Sequence, residues 1–391
     1  PRLSALRYQP SLPLEGILSK LDPGTALISF SLGAQESQAF LLQPGAPLKV
    51  FDLAIGEDGL RSQIDGLVAT TLEPDSFRPR AKALYRLLLA PLESSLASAQ
   101  RLLILPDGPL HRLPWSALIR IQGDEQEQFL VEWKPISTAI SATLWAQLKE
   151  RRSEKKGDLQ LAAYGAPQPP PQSVQWTQEE PQEITSRSSL LRGLDLGPLP
   201  HSRQEVEGIA SLYPGAQSYL GARASEETAR RVSPKARTVH FAVHGILDSR
   251  FPLNSGLVLT VPESPESSGE NGFLQAWEIF EDLRLKADLV VLSACDSGLG
   301  EDAGDEGLIG LTRAFQYAGA RTVAASLWKV SDQATSKLMT RFHHHLRQGR
   351  PMDQALRSAQ LELLRSAESA ETLDTSLPFY WAAFQLYGDW K

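Results

Sequence analysis

Leu289-Val290-Val291-Leu292-Ser293-Ala294-Cys295-Asp296-Ser297-Gly298 decides the reading of this chain. The run up to Ala294 is short, uninterrupted and rich in Val and Leu, the pattern of a strand buried on both faces of a parallel sheet. It closes on the only cysteine of the protein. A similar run, Thr238-Val239-His240-Phe241-Ala242-Val243, lies about 50 residues upstream and closes on His244-Gly245. Each run carries a reactive side chain at its carboxyl end, the edge at which open α/β sheets bind ligands. A core thiol or a strand-end histidine is unremarkable alone. Together, at two strand ends and each beside a loop glycine, they read as a nucleophile and its base.

The chemistry suits peptide-bond cleavage. A thiolate is the reactive form of cysteine, and a neighbouring imidazolium lowers the thiol pKa and later protonates the leaving amine. Gly245 lets backbone approach a scissile carbonyl, so the N–H groups of Gly245 and Cys295 are the oxyanion-hole candidates. Gly298 and Gly300 keep the following loop open. His240 shares a strand with His244 at an even spacing, so it shares a face and is the alternative base. Mid-strand burial makes it structural.

The chain has 391 residues, 42% hydrophobic and 22% charged, with 39 basic against 46 acidic residues and a net charge of −7. That length suits two domains or one elaborated one. The acidic balance argues against nucleic acid as a direct partner. One cysteine excludes an internal disulfide and a cysteine-based zinc cage, and a reducing, cytoplasmic compartment fits best. No apolar stretch is long enough to span a bilayer, and no basic start followed by an apolar core marks a signal peptide. The chain opens on Pro1, which points to a fragment or a processed chain.

The first part predicts antiparallel strands over Ala26–Leu32, Ala39–Gln43 and Leu48–Leu53, then a helix from Arg80 and a strand over Arg101–Leu105. Residues 1–146 are read as a smaller N-terminal flanking subdomain, and 147–391 as the catalytic domain. Residues 166–185 and 262–271, rich in Pro, Gln, Ser and Glu, read as exposed loops. Ser202 with Glu205 spells a capping box. From there strand and helix alternate: strands over 237–243, 288–294 and 322–328, helices near 274–280 and from 307, 331 and 352, and a strand-like end over 379–387. This series predicts a mainly parallel sheet covered by helices on both faces. His343-His344-His345 point to different helix faces and cannot chelate one metal, so they read as a partly exposed helix surface. Trp328, Trp381 and Trp390 read as core and rim. No metal or other cofactor is expected.

Six stretches carry a family resemblance: HFAVHG at 240–245, LVVLSACDSGLG at 289–300, GLIGLTRAFQYAGARTVAASLWKVSDQAT at 307–335, ALRSAQLELL at 355–364, LILPDGPLHRLPWSAL at 103–118 and FYWAAFQLYG at 379–388. They resemble the CHAT domain, a caspase-like peptidase domain related to separase and often found beside TPR repeats. The resemblance runs from about residue 80 to the end. It implies a caspase-hemoglobinase fold and a Cys-His dyad, matched here by His244 and Cys295, with Val243 where the family commonly has Thr. It also implies a protein substrate, a TPR or sensor domain upstream, and gating by that partner. Asp332 closes a Trp-x-Val-x-Asp segment similar to one in separase, which cleaves after Arg. Asp332, with Asp296, is therefore the candidate for pairing with a basic P1 side chain, although Asp332 also suits a helix N-cap. The loop after Cys295 also carries Glu301, Asp302, Asp305 and Glu306, of which Asp302 and Asp305 read as a solvated face, and it lacks EF-hand spacing. The expected function is a cysteine endopeptidase. The alternative is a catalytically silent caspase-fold scaffold.

Overall fold

The structure is a computed structural model that describes residues 11–123, 126–150, 157–168, 199–261, 270–296, 305–366 and 374–391, with Cys295, Asp296 and Asp305 described by their backbone alone. In chain order the strands are β1 (Thr25–Ser31), β2 (Ser37–Leu42), β3 (Lys49–Leu53), β4 (Arg101–Leu105), β5 (Ile119–Gln122), β6 (Gln126–Phe129), β7 (Ile136–Thr138), β8 (Leu159–Gly165), β9 (Gln217–Leu220), β10 (Ala236–Ala242), β11 (His244–Ile246), β12 (Gly256–Val258), β13 (Phe273–Gln275), β14 (Leu289–Leu292), β15 (Cys295–Asp296), β16 (Thr322–Ser326) and β17 (Phe384–Gly388). The contacts group the chain into two compact units, one of residues 1–154 with 321–391 and the other of residues 155–320.

In the first unit the strands follow the order β3-β2-β1-β4-β7-β17-β16. The expected antiparallel start is present as β1-β2-β3, and β1 then pairs parallel with β4, β4 with β7 and β7 with β17. β16 and β17 are antiparallel. The helix expected from Arg80 begins earlier, at Pro74, because Pro is tolerated in a first helical turn. Trp145 and Trp390 stack at 6.0 Å in a buried cluster with Leu27, Leu103 and Leu105. The Arg101 guanidinium lies over the Trp390 ring and also pairs with buried Asp353 at 2.7 Å. Burial still pushes the Asp353 carboxyl up to about 6, with Arg101 opposing the shift.

This unit corrects two local readings. His343 and His345 are buried, and only His344 of the three lies exposed. His345 Nε2 sits 2.7 Å from a Glu362 carboxylate oxygen, so His343 and His345 pack inward and only His344 is surface. The N-cap of the helix Asp332–Arg347 is Ser331, one residue before the position read from the sequence, and Asp332 is its first residue. Trp381 and Trp390 are fully buried, and the half-buried Trp328 donates its indole N–H to the Phe379 carbonyl.

The second unit holds the parallel series β14-β10-β8-β9. Helices cover both faces, and the alternation along β10 sorts the contacts. Phe241 meets Phe315 of the helix Asp305–Ala318 and stacks on Tyr164, while His240, one residue earlier, meets Glu205 of the helix Ser202–Ala210. Arg230 ties the helix Glu226–Val232 to the helix Ala276–Asp282 through Glu226, Glu278 and Asp282. A second sheet, β13-β12-β11-β15, closes over Ile246, Val258 and Phe273. The sequence run shows no sign of this sheet, because its apolar character continues through the points where the strands leave the main sheet. Most of the two loop segments read as exposed, at 169–198 and 262–269, lies outside the described residues, as do 297–304 with Gly298 and Gly300.

No helix among the described residues is long and apolar enough to cross a membrane. Gly319 ends the helix Asp305–Ala318 at φ 121°, and a Cβ there would sit 2.1 Å from the Leu285 carbonyl oxygen. Backbone strain and clash act together, so Gly319→Ala is expected to cost at least about 2 kcal/mol. The measurement is the denaturation midpoint of the variant against wild type, and an unchanged midpoint would contradict the packing described.

Candidate active site

β10 and β14 run side by side, with Phe241 opposite Leu292 as the last pair in the main sheet. Both strands then break, at Val243 and at Ser293-Ala294. Three residues beyond the last main-sheet pair on each strand, they pair again as β11 and β15, with His244 opposite Cys295 and Gly245 opposite Asp296. The step from the last main-sheet pair to the next pair is three residues on both strands, so the register is kept. The paired backbones lie one strand spacing apart there, about 4.8 Å. His244 is half-buried and Gly245 buried. A Cβ at Gly245 would come within 3.1 Å of the Ala294 methyl, so only glycine fits this close approach without displacement.

The structure thus brings together His244, Gly245, Cys295 and Asp296. Asp332 belongs to the other compact unit, at the start of its helix. The acidic residues Glu301 and Asp302 lie outside the described residues, while Asp305 and exposed Glu306 open the helix Asp305–Ala318. Among the described residues no group of His, Cys, Asp and Glu has the geometry to hold a metal.

Two expectations are corrected here. The even spacing of His240 and His244 does not place them on one continuous face, because the strand breaks between them. His240 is fully buried, and its Nε2 lies 2.7 Å from Glu205 Oε1. The capping box read at Ser202 and Glu205 is not formed either. His201 is the N-cap, and the Ser202 hydroxyl instead donates to the Ala242 carbonyl at 2.5 Å and accepts from Ala166 N–H at 2.8 Å. Glu205 was therefore legible only as a helix-start residue. Nothing in a single sequence shows that it turns inward to a histidine on β10.

Burial disfavours charge on both members of this pair. It raises the Glu205 carboxyl to about 8, with the Ser293 hydroxyl opposing, and lowers the His240 imidazole to about 3. Both groups are therefore neutral in the folded protein near pH 6. Unfolded reference values are 4.5 for the carboxyl and 6.5 for the imidazole. Between pH 4.5 and 8 the folded state keeps a Glu205 proton that the unfolded state has lost, so this group's contribution falls as pH rises. His240 acts oppositely: its contribution is full above pH 6.5 and is lost as pH falls toward 3. The stability of wild type relative to Glu205→Gln should consequently decline from pH 4.5 to 8 in denaturant titrations. A difference that rises over that window would mean an ionised carboxylate.

The CHAT domain family profile matches residues 78–389. Tetratricopeptide repeat protein 28 of Homo sapiens is 27% identical over 364 residues, covering 83% of this chain and 14% of that protein. Its Mus musculus counterpart is 26% identical over 349 residues, covering 80% and 13%. The chain therefore spans only a small part of the relatives it matches. Among solved structures, the Saccharomyces cerevisiae separase-securin complex aligns with TM-score 0.56 at 10% identity, over 99% of this chain and 31% of that one. The fold is the caspase-like one, a large mainly parallel sheet flanked by helices. The chain belongs to the CHAT domain family.

Proposed function

We propose that this CHAT domain is a cysteine endopeptidase with Cys295 as nucleophile and His244 as its base and acid. The observation that carries the reading is the register pairing of His244 with Cys295 across β11 and β15. A packing role asks for no such coincidence of a thiol and an imidazole at two neighbouring strand ends.

The reaction follows from the two groups. The Cys295 thiolate attacks the scissile carbonyl carbon, and the carbonyl oxygen takes the displaced electron pair. The backbone N–H groups of Gly245 and Cys295 are the proposed donors to that oxyanion. Its collapse breaks the C–N bond, the amine leaves with a proton from the His244 imidazolium, and an acyl thioester remains. Water then gives a proton to His244 and attacks the thioester. The acid product leaves, and the thiolate is restored beside an imidazolium.

The substrate is proposed to be an exposed protein segment with a basic P1 side chain, met by the carboxylates of Asp332 and Asp296. Residues 147–391 form the proposed catalytic part and 1–146 the flanking part. The compact units divide the chain elsewhere, at 154/155 and 320/321, so the proposed boundary is one of role. Association with TPR repeats is proposed from the name of the relatives, gating by such repeats from the family resemblance, and a cytoplasmic setting from the single cysteine.

An Arg-directed acyloxymethyl ketone and an Asp-directed one, read by intact mass, test this. Labelling by the Arg probe, lost in Cys295→Ala and weakened about tenfold or more in Asp332→Ala, is the expected result for a charge-assisted contact. Labelling by the Asp probe alone would overturn the P1 assignment. Labelling that persists in Cys295→Ala would overturn the assignment of the nucleophile.

A further inference from the structure

Beneath the paired strand ends lies a polar cluster that the proposed reaction does not use. Glu205 and His240 are 1% and 0% exposed and joined at 2.7 Å. Ser293, 6% exposed, sits between β14 and β15, two residues before Cys295. Its hydroxyl lies beside Glu205 but makes no ordinary hydrogen bond. One turn of the helix Ser202–Ala210 thus meets both strands that carry the candidate dyad. Glu205 reaches His240 on β10 and the neighbourhood of Ser293 after β14, and Ser202 holds the carbonyl of Ala242, the last residue of β10.

Stability does not account for this arrangement. Burying polar and ionisable groups costs free energy that hydrogen bonds only partly return, and apolar side chains of similar volume commonly serve a core as well or better. Using Ser202 and Glu205 inward also forgoes the capping box that they spell, an interaction worth on the order of 1 kcal/mol. What apolar contacts lack is direction. A carboxyl group hydrogen-bonded to His240 fixes where β10 ends.

We propose that Glu205 is a positioning residue for the His244–Cys295 pair, its carboxyl bracing β10 through His240 and lying beside Ser293 at the end of β14. The inference rests on the reading of Cys295 and His244 as a dyad. It assigns Glu205 a role as a neutral hydrogen-bonding group and not as a charge. A glutamine keeps that role, since its amide donates to His240 and it keeps the place beside Ser293. A leucine fills the space and braces nothing.

Because Cys295 is the only cysteine, iodoacetamide reports on it alone, without a need for turnover. The rate of carboxamidomethylation from pH 5 to 9, by intact mass, is to be measured on wild type, Glu205→Gln, Glu205→Leu and Ser293→Ala, with thermal midpoints alongside. Wild type should show a thiol titrating below the ordinary value of about 8.5. Glu205→Gln should follow it. Glu205→Leu, though folded, should shift the profile alkaline by about one pH unit, with Ser293→Ala shifted in the same direction by less. A Glu205→Leu profile that coincides with a lowered wild-type one overturns the positioning role and leaves the dyad standing. If Glu205→Leu does not fold, Ser293→Ala decides in the same way. A shift in Glu205→Gln as large as that in Glu205→Leu overturns the neutral hydrogen-bonding role. An ordinary profile in wild type overturns the dyad and the proposal with it.

Discussion

The site depends on one constraint, the parallel register of β10 and β14 carried without slippage, three residues on each strand, into β11 and β15. A slip by one residue on either strand would put a different side chain opposite His244 and turn the partner to the other face. Parallel strands of this kind belong to a sheet covered on both faces, and the coverage here comes from the helices Ser202–Ala210 and Asp305–Ala318. The helices hold β10 from opposite sides by unlike means. Phe315 meets Phe241 through apolar contact, while Glu205 meets His240 through a hydrogen bond. Apolar packing keeps the strand in the sheet, and the polar contact fixes its position along the strand direction.

Leaving the main sheet changes the burial of the strand ends. Within the sheet, β10 and β14 are buried on both faces, as their residues show from Val239 to Ala242 and from Leu289 to Leu292. After the breaks His244 is half-buried. The second sheet is small, and Ile246, Val258 and Phe273 are enough to seat it. Close approach at Gly245 and Ala294 brings β11 and the β14–β15 turn together where side chains would otherwise hold them apart.

Much of this was legible in the sequence, and the gaps have physical causes. Val- and Leu-rich runs ending in His244 and Cys295 mark two buried strands, and the order of strands and helices marks the parallel sheet. The second sheet was not legible, because Val243 and Ala294 continue the apolar pattern while the backbone turns. Ser202 and Glu205 have the spacing of a capping box, and local spacing carries no record of a histidine brought near by the fold. His343 and His345 look like surface residues until the Glu362 contact and the packing of the helix pair are known. In each case the misreading came from a local rule that a tertiary contact overrode.

The most direct test of the account is the pH dependence of Cys295 alkylation in His244→Ala beside wild type. If the register pairing couples the thiol to the imidazole, the wild-type thiolate persists below pH 7, and the His244→Ala profile moves alkaline by about one pH unit or more. Superimposable profiles would contradict the account, leaving Cys295 and His244 as neighbours in the backbone and strangers in chemistry.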